Sequence, residues 1–395
     1  MKNIRAANVA LLTFALVNLG ACGGGSADIT SERQAGVDIP APAPVPVPAE
    51  SAMPIWRQNI PVGEWRAIPN TALASAPIAV SVPGSTGPQS KVIAWTGFAV
   101  DTRDSSIYSA ANGGHMDYAG NEVNRVRLSD NAPVWSEPRA SSSGTQVLLS
   151  TSHYADGRPT SRHTYYGSAV NEVRGRVMVI GGSRYGDGYY NATTDGFNIS
   201  ANDWDPARTF PDAFPEITKD HAMAVAEHKS TGDLYVFSQW NVLRWSNSAN
   251  SWSRMLTGTT MYGHSAASAL DTKRNRVLVV GGTAGDHGYY DIATNKVMTI
   301  ALSGANAGSV MGSANGMVYD PLLDAYLVRR ADSGGTIYRI NADTFAVDAL
   351  PTTAGASVPA STNGVYTRFL YVPKLKGVVY VPSYGGNLWF LRTAQ

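Results

Sequence analysis

The chain has one cysteine, Cys22, in 395 residues. No intrachain disulfide is possible, and beyond position 22 there is no thiolate to act as nucleophile or metal ligand. Charge is scarce as well: Asp, Glu, Lys and Arg make up 15% of the residues, against about 25% in ordinary soluble domains. A net charge of +1 provides no basic face for nucleic acid. No His-x-His or His-Glu-x-x-His spacing marks a metal centre, and no carboxylate pair stands out as a glycosidase site. What the chain does have is glycine and proline, 39 and 22 of them, a composition of many tight turns and few charged helices.

The ends of the chain differ in character. Lys2 and Arg5 precede an apolar run from Ala6 to Leu19; at about fourteen residues it is shorter than the ~20 of a spanning helix and matches a secretory signal. It closes with Leu19-Gly20-Ala21-Cys22, which resembles the lipobox of bacterial lipoproteins. That resemblance implies a signal peptide over 1–21 and a diacylglycerol on Cys22 as the only membrane attachment. Gly23 in place of Asp then points to the outer membrane of the cell envelope. An ordinary secretory signal with an incidental cysteine is the alternative. Residues 22–54 read as a tether. Gly23-Gly24-Gly25-Ser26 is flexible, and the alternating prolines from Pro40 to Pro48 fix φ and remove amide donors, giving a polyproline II spacer. An SH3-type ligand is the other reading of those prolines. The folded domain is expected over 55–395.

Within that domain one pattern recurs six times, from Trp95, His163, His221, His264, Gly312 and Val365. Each copy has a small or apolar strand, a polar turn such as Asp101-Thr102-Arg103-Asp104 or Asp271-Thr272-Lys273-Arg274, and a β-branched or aromatic strand such as Val177-Met178-Val179-Ile180. Three copies end in a glycine pair: Gly113-Gly114, Gly181-Gly182 and Gly281-Gly282. Trp135, Trp204 and Trp252 follow at outer-strand positions, and Trp65 suits the same position of the last copy.

Apolar strand with Gly-Gly, tyrosine-rich strand, then tryptophan-bearing strand resembles the kelch repeat, the pattern of the central domain of galactose oxidase. The resemblance covers roughly Trp56 to Gln395 and implies an all-β fold, a β-propeller of four-stranded antiparallel blades. Six blades are counted, and the stretches 141–160 and 184–219 are long enough to hold a seventh. The segment around Trp65 is expected to complete the last blade, built from Val378-Val379-Tyr380-Val381 and Leu388-Trp389-Phe390-Leu391, and so remove the open edge.

Propeller threading sorts the functional candidates. The loops that join one blade to the next share a face with the loops between the second and third strands. Six of the seven histidines fall on loops of that face, namely His115, His153, His163, His221, His264 and His287; only His228 does not. The candidate catalytic residues are His115, His163, Tyr165, Tyr166 and Arg162. Tyr118, Asn121, Arg184, Tyr185, His221, Trp240, His264, His287, Arg330 and Arg368 are candidates for substrate contact. Tyrosine and tryptophan offer flat faces with a polar edge for sugar rings, and arginine meets a uronate carboxylate with paired hydrogen bonds. The same histidines also suit a structural role against neighbouring backbone, and the Tyr-Tyr pairs a packing role between blades.

The resemblance implies carbohydrate chemistry, but copper-radical oxidation is excluded, since that family needs a cysteine crosslinked to a copper-binding tyrosine. The reading carried forward is a polysaccharide lyase, by likeness in fold and residue inventory to propeller lyases that use tyrosine, histidine and arginine on uronic-acid polymers. A non-catalytic propeller that binds glycan or protein is the alternative, and a sugar epimerase a third. The partner is then a polysaccharide or oligosaccharide, and the protein a monomer. No cofactor is implied; residue types alone leave open a metal on His163, His221 and His264.

Overall fold

The computed structural model describes residues 53–213, 220–285, 287–354 and 357–395. The signal sequence, Cys22 and the tether up to residue 52 lie outside the described residues. The remainder is a β-propeller of six four-stranded antiparallel blades.

From the innermost strand outward, blade 1 is Ala99–Asp101, Ser106–Ala110, Val123–Arg127 and Trp135–Arg139. Blade 2 is Ser168–Asn171, Arg176–Ile180, Thr194–Asn198 and Asp203–Trp204. Blade 3 is Ala224–His228, Asp233–Ser238, Asn241–Ser246 and Ser251–Leu256. Blade 4 is Ala266–Asp271, Arg276–Gly281, His287–Asp291 and Lys296–Thr299. Blade 5 is Gly316–Asp320, Ala325–Arg329, Ile337–Asn341 and Val347–Leu350. Blade 6 takes Phe369–Val372, Gly377–Tyr380 and Trp389–Arg392 from the end of the chain and Glu64–Ala67 from its beginning. The short strand Thr353–Ala354 adds to that outer strand in parallel.

Second strands such as Asp233–Ser238 and Arg276–Gly281 are buried along their whole length, because each blade is covered on both faces by its neighbours. That is why they read as continuous apolar runs instead of alternating ones. Fourth strands such as Lys296–Thr299 lie mostly at the surface.

The turns between first and second strands are encoded locally. Asp101, Asp271 and Asp320 each accept a hydrogen bond from the amide two residues on, at Arg103 (3.0 Å), Lys273 (3.0 Å) and Leu322 (2.9 Å), an Asx turn. The residue just before the second strand then takes a left-handed backbone, at Ser105, Asn275, Asp324 and Lys376.

The outer-strand tryptophans seal the seams between blades. Trp135 Nε1 donates to Thr71 O at 2.8 Å. Trp65, 1% exposed, donates to Gly335 O at 2.8 Å in the loop of blade 5 while its own strand closes the ring on Leu391. Among the described residues no seventh blade occurs in the two long stretches. At the entry to the second one, Ser183–Arg184 pairs instead with Arg162–His163 as a two-stranded ribbon.

Candidate functional site

At the start of several innermost strands the chain takes one left-handed residue: Trp95, Tyr165, Ser265, Ala314 and Tyr366. Such a backbone is uncommon for residues other than glycine, and hydrogen bonds between neighbouring blades hold it here. Tyr165 N donates to Trp95 O (2.8 Å), Ser265 N to Ala222 O (2.7 Å), Ala314 N to Ser265 O (2.9 Å) and Tyr366 N to Ala314 O (3.3 Å). This belt frames one mouth of the tunnel.

Two glycines let the histidine-bearing segments come close to the blades. A Cβ on Gly182 would meet His163 O at 2.4 Å, and one on Gly282 would meet His264 O at 2.6 Å, both at positive φ. The glycine pairs of blades 2 and 4 are therefore the seats of those two histidines.

Aromatic rings run across the mouth in one connected row. His115, itself at φ 43°, stacks on His163 with centroids 4.3 Å apart and planes at 14°. Trp95 flanks His163 at 5.1 Å, and Tyr165 follows at 6.0 Å. Tyr165 meets His221 at 5.1 Å and Tyr366 at 5.5 Å. His221 stacks on Tyr190 at 5.5 Å and meets His264 edge-on at 5.4 Å. The row ends through Tyr262 on Trp240.

Two of these imidazoles are held by aspartates. His264 Nδ1 lies 2.6 Å from Asp220 Oδ1. Asp220 is fully buried and also accepts bonds from Ala222 N and Ser238 Oγ. A carboxylate only accepts, so Nδ1 carries the proton and Nε2 is the lone-pair nitrogen of neutral His264. The Asp220 bond outweighs burial and raises the His264 pKa above its ordinary value. His163 Nε2 bonds to Asp117 Oδ2 at 2.9 Å, leaving Nδ1 without a partner. Here burial wins over the carboxylate and lowers the imidazole pKa, while the bond from His163 lowers that of Asp117. His221 is lowered by burial and by His264 beside it. Burial pushes the Tyr165 phenol up to about 12, so it keeps its proton at neutral pH. The row thus holds neutral bases, a protonated phenol and a histidine poised to take up a proton.

Several candidates occupy other roles. Arg162 is 0% exposed; its guanidinium donates to Asp195 Oδ2 at 2.7 Å and to Gly181 O at 3.2 Å, and the same aspartate binds His153 Nε2 at 2.8 Å. It underpins the mouth and presents no charge to a ligand. Arg368, also 0% exposed, donates to Thr362 O, Gly364 O and Ser361 Oγ, and burial lowers its pKa to about 10. Tyr166 is buried with its hydroxyl on Asn315 O. Tyr118 is buried on Glu122 Oε1, and Asn121 ties its loop to Ser142 Oγ and Pro159 O. Tyr185 is buried beside the His115 backbone. The polar groups of Arg162, Arg368, Tyr166, Tyr118 and Asn121 are thus already bonded within the protein. His287 bonds within its own loop to Gly285 O. Arg184 and Arg330 remain at the surface, paired with Asp187 and Asp332.

The residues that reading the repeats left out are Asp220 and Trp95. Asp220 precedes His221 directly, and Trp95 stands two residues before Gly97 as Tyr165 stands before Gly167; aligning the starts of the innermost strands reveals both. Among the described residues no cluster of three or more His, Cys, Asp or Glu is arranged to hold a metal ion. No family model matches the chain, and no curated protein matches it.

Proposed function

We propose that this mouth is the carbohydrate site of an exported, lipid-anchored kelch-type propeller, and that it cleaves uronic-acid-containing glycans by β-elimination. One observation carries the sugar reading. Three of the four most exposed aromatic residues among the described ones belong to this mouth, Trp95 (38%), Tyr190 (37%) and Trp240 (42%), and the fourth, Tyr189 (65%), precedes Tyr190 in the chain. Flat, half-wet aromatic faces around a polar row are what sugar rings stack on.

The chemistry follows from the protonation states. His264 Nε2, oriented by Asp220, takes the C5 proton of the uronate. The C–H electron pair becomes the C4–C5 double bond and the C4–O bond breaks. The Tyr165 hydroxyl gives its proton to the departing oxygen, so no water or oxidant is consumed. Developing charge on the carboxylate needs a cation, and Arg162 is not free to be one. Arg184 and Arg330 fit better, because a partly exposed pair is worth about 1 kcal/mol or less and opens readily.

The test is incubation with a panel of uronate polymers, read by the ultraviolet absorbance of the unsaturated product. Turnover that disappears in His264→Ala supports the lyase. Glycan binding without turnover, weakened in Trp240→Ala, leaves a non-catalytic binding propeller, a reading favoured by the enclosure of Arg162 and Arg368. Export and anchoring are tested separately: Cys22→Ala should move the protein out of the membrane fraction.

A further inference from the structure

The far end of the tunnel contains a separate chamber. A cavity of about 400 Å³ is lined by the innermost strands of all six blades, with Ala99, Ala169, Val225, Leu270, Met317 and Phe369 contributing one from each. Thr102, Lys229, Thr272 and Pro321 also line it. They belong to turns between first and second strands, so the chamber faces away from the histidine row. Tyr165, Tyr166 and Tyr366, packed on one another, lie between the two.

The walls are mostly apolar, with the hydroxyl residues Ser168, Ser268 and Thr272 among them, and the charged side chains Glu227 and Lys229 gather at one corner. There Lys229 Nζ bonds to Glu227 Oε2 (2.7 Å), Val100 O (2.9 Å) and Val170 O (3.3 Å). An ammonium has three hydrogens, so Lys229 is fully used. Val170 N also donates to Glu227 Oε2. The nearby Glu172 carboxylate takes the amide and hydroxyl of Thr102. Glu227 Oε1 is left buried with no partner, and Thr367 Oγ1, on a residue that also lines the chamber, is likewise buried and unpartnered. Lys229 Nζ also lies 3.4 Å from Glu172 Oε1, so one ammonium serves two carboxylates, and burial raises the Glu227 pKa to about 7, which a cation bound beside it would bring back down. Asp101 does not change that, because Arg103 pairs with it at 2.7 Å.

We propose that this chamber binds a small organic ammonium ion with an apolar body, its charged nitrogen donating to Glu227 Oε1 and its hydrocarbon filling the space between the six innermost strands. The volume suits a single-ring amine, and a buried carboxylate oxygen with no donor is what such a cation satisfies.

The test is calorimetric titration of the full chain with phenethylamine, phenethyl alcohol and hydrocinnamate, which share an aromatic body and differ in the polar end. Phenethylamine should bind, the alcohol about tenfold more weakly, and the carboxylate not at all. Glu227→Gln should weaken the amine about tenfold, the loss when a charge-assisted hydrogen bond becomes a neutral one. Thr272→Trp, a change at an exposed turn, should block access with the unfolding temperature unchanged, and it tests the site even where the Glu227 variant fails to fold. No binding of phenethylamine, equal binding of hydrocinnamate, or full affinity in both variants overturns the proposal.

Discussion

Replacing Asp220 by Asn isolates the electrostatics of the mouth. Three donors converge on this buried side chain: His264 Nδ1 at 2.6 Å, Ala222 N at 3.1 Å and Ser238 Oγ at 3.0 Å. Asparagine keeps one acceptor oxygen for the first two, and its NH2 can donate to the Ser238 hydroxyl after that rotates. What disappears is the negative charge opposite the imidazole. A bond to a charged group is worth about 1.5–3 kcal/mol and a neutral one about 0.5–1.5, so the expected loss is about 1–2 kcal/mol. The sign with pH follows from the raised pKa of His264. Its stabilisation is complete below the unfolded value of about 6.5 and fades as pH rises through the higher folded value. The gap in stability between wild type and Asp220→Asn should therefore be widest in mild acid and shrink in alkali. The lowered pKa values of His163 and His221 act in the opposite direction, weakening the fold on acidification, but both proteins carry them. NMR titration of the imidazole protons should show the His264 midpoint move down, and denaturant unfolding on either side of neutrality should show the converging curves. On the proposed mechanism, turnover should fall about hundredfold or more. A His264 midpoint that stays where it was would refute the reasoning.

Arg162→Ala should cost about 3–5 kcal/mol, because it leaves Asp195 charged and buried with only His153 and the Thr193 hydroxyl beside it; a melting curve close to wild type would show that the arginine is free for ligand after all. Trp65→Ala removes the seam between the closing strand and blade 5 and should cost a similar ~3–5 kcal/mol, read by denaturant unfolding. Tyr190→Ala, at a side chain 37% exposed, should leave the unfolding midpoint alone and weaken glycan binding up to about tenfold; unchanged binding would remove Tyr190 from the sugar platform.

Much of this architecture was open to reading from local signals. Asp101, Asp271 and Asp320 cap their own turns, and runs such as Val177–Ile180 are apolar on both faces since neighbouring blades cover both. Trp65, at the position of Trp135 and Trp204, foretold the closure of the ring. Threading then put His115, His163, His221 and His264 on one face, where they do meet. It also put His153 and His287 on that face, but these bond to Asp195 and Gly285 outside the row. The six-blade count stands because 184–219 begins with a ribbon against Arg162–His163, a long-range pairing with no periodic signature.

Sequence by itself determined the fold class, six repeats of one strand pattern and the face on which histidines collect, because turn chemistry, strand periodicity and repeat spacing act between residues near one another in the chain; that no seventh blade forms was decided by the structure. Only the tertiary structure decided what each charge does. Arg162 and Arg330 look alike as letters, yet one is sealed onto Asp195 and the other sits at the rim. Asp220 lies 44 residues from the imidazole it holds, and Glu227 Oε1 lacks a donor only because neighbouring blades enclose it. Burial and pairing are properties of the space between distant segments, and that space exists only once the ring has closed.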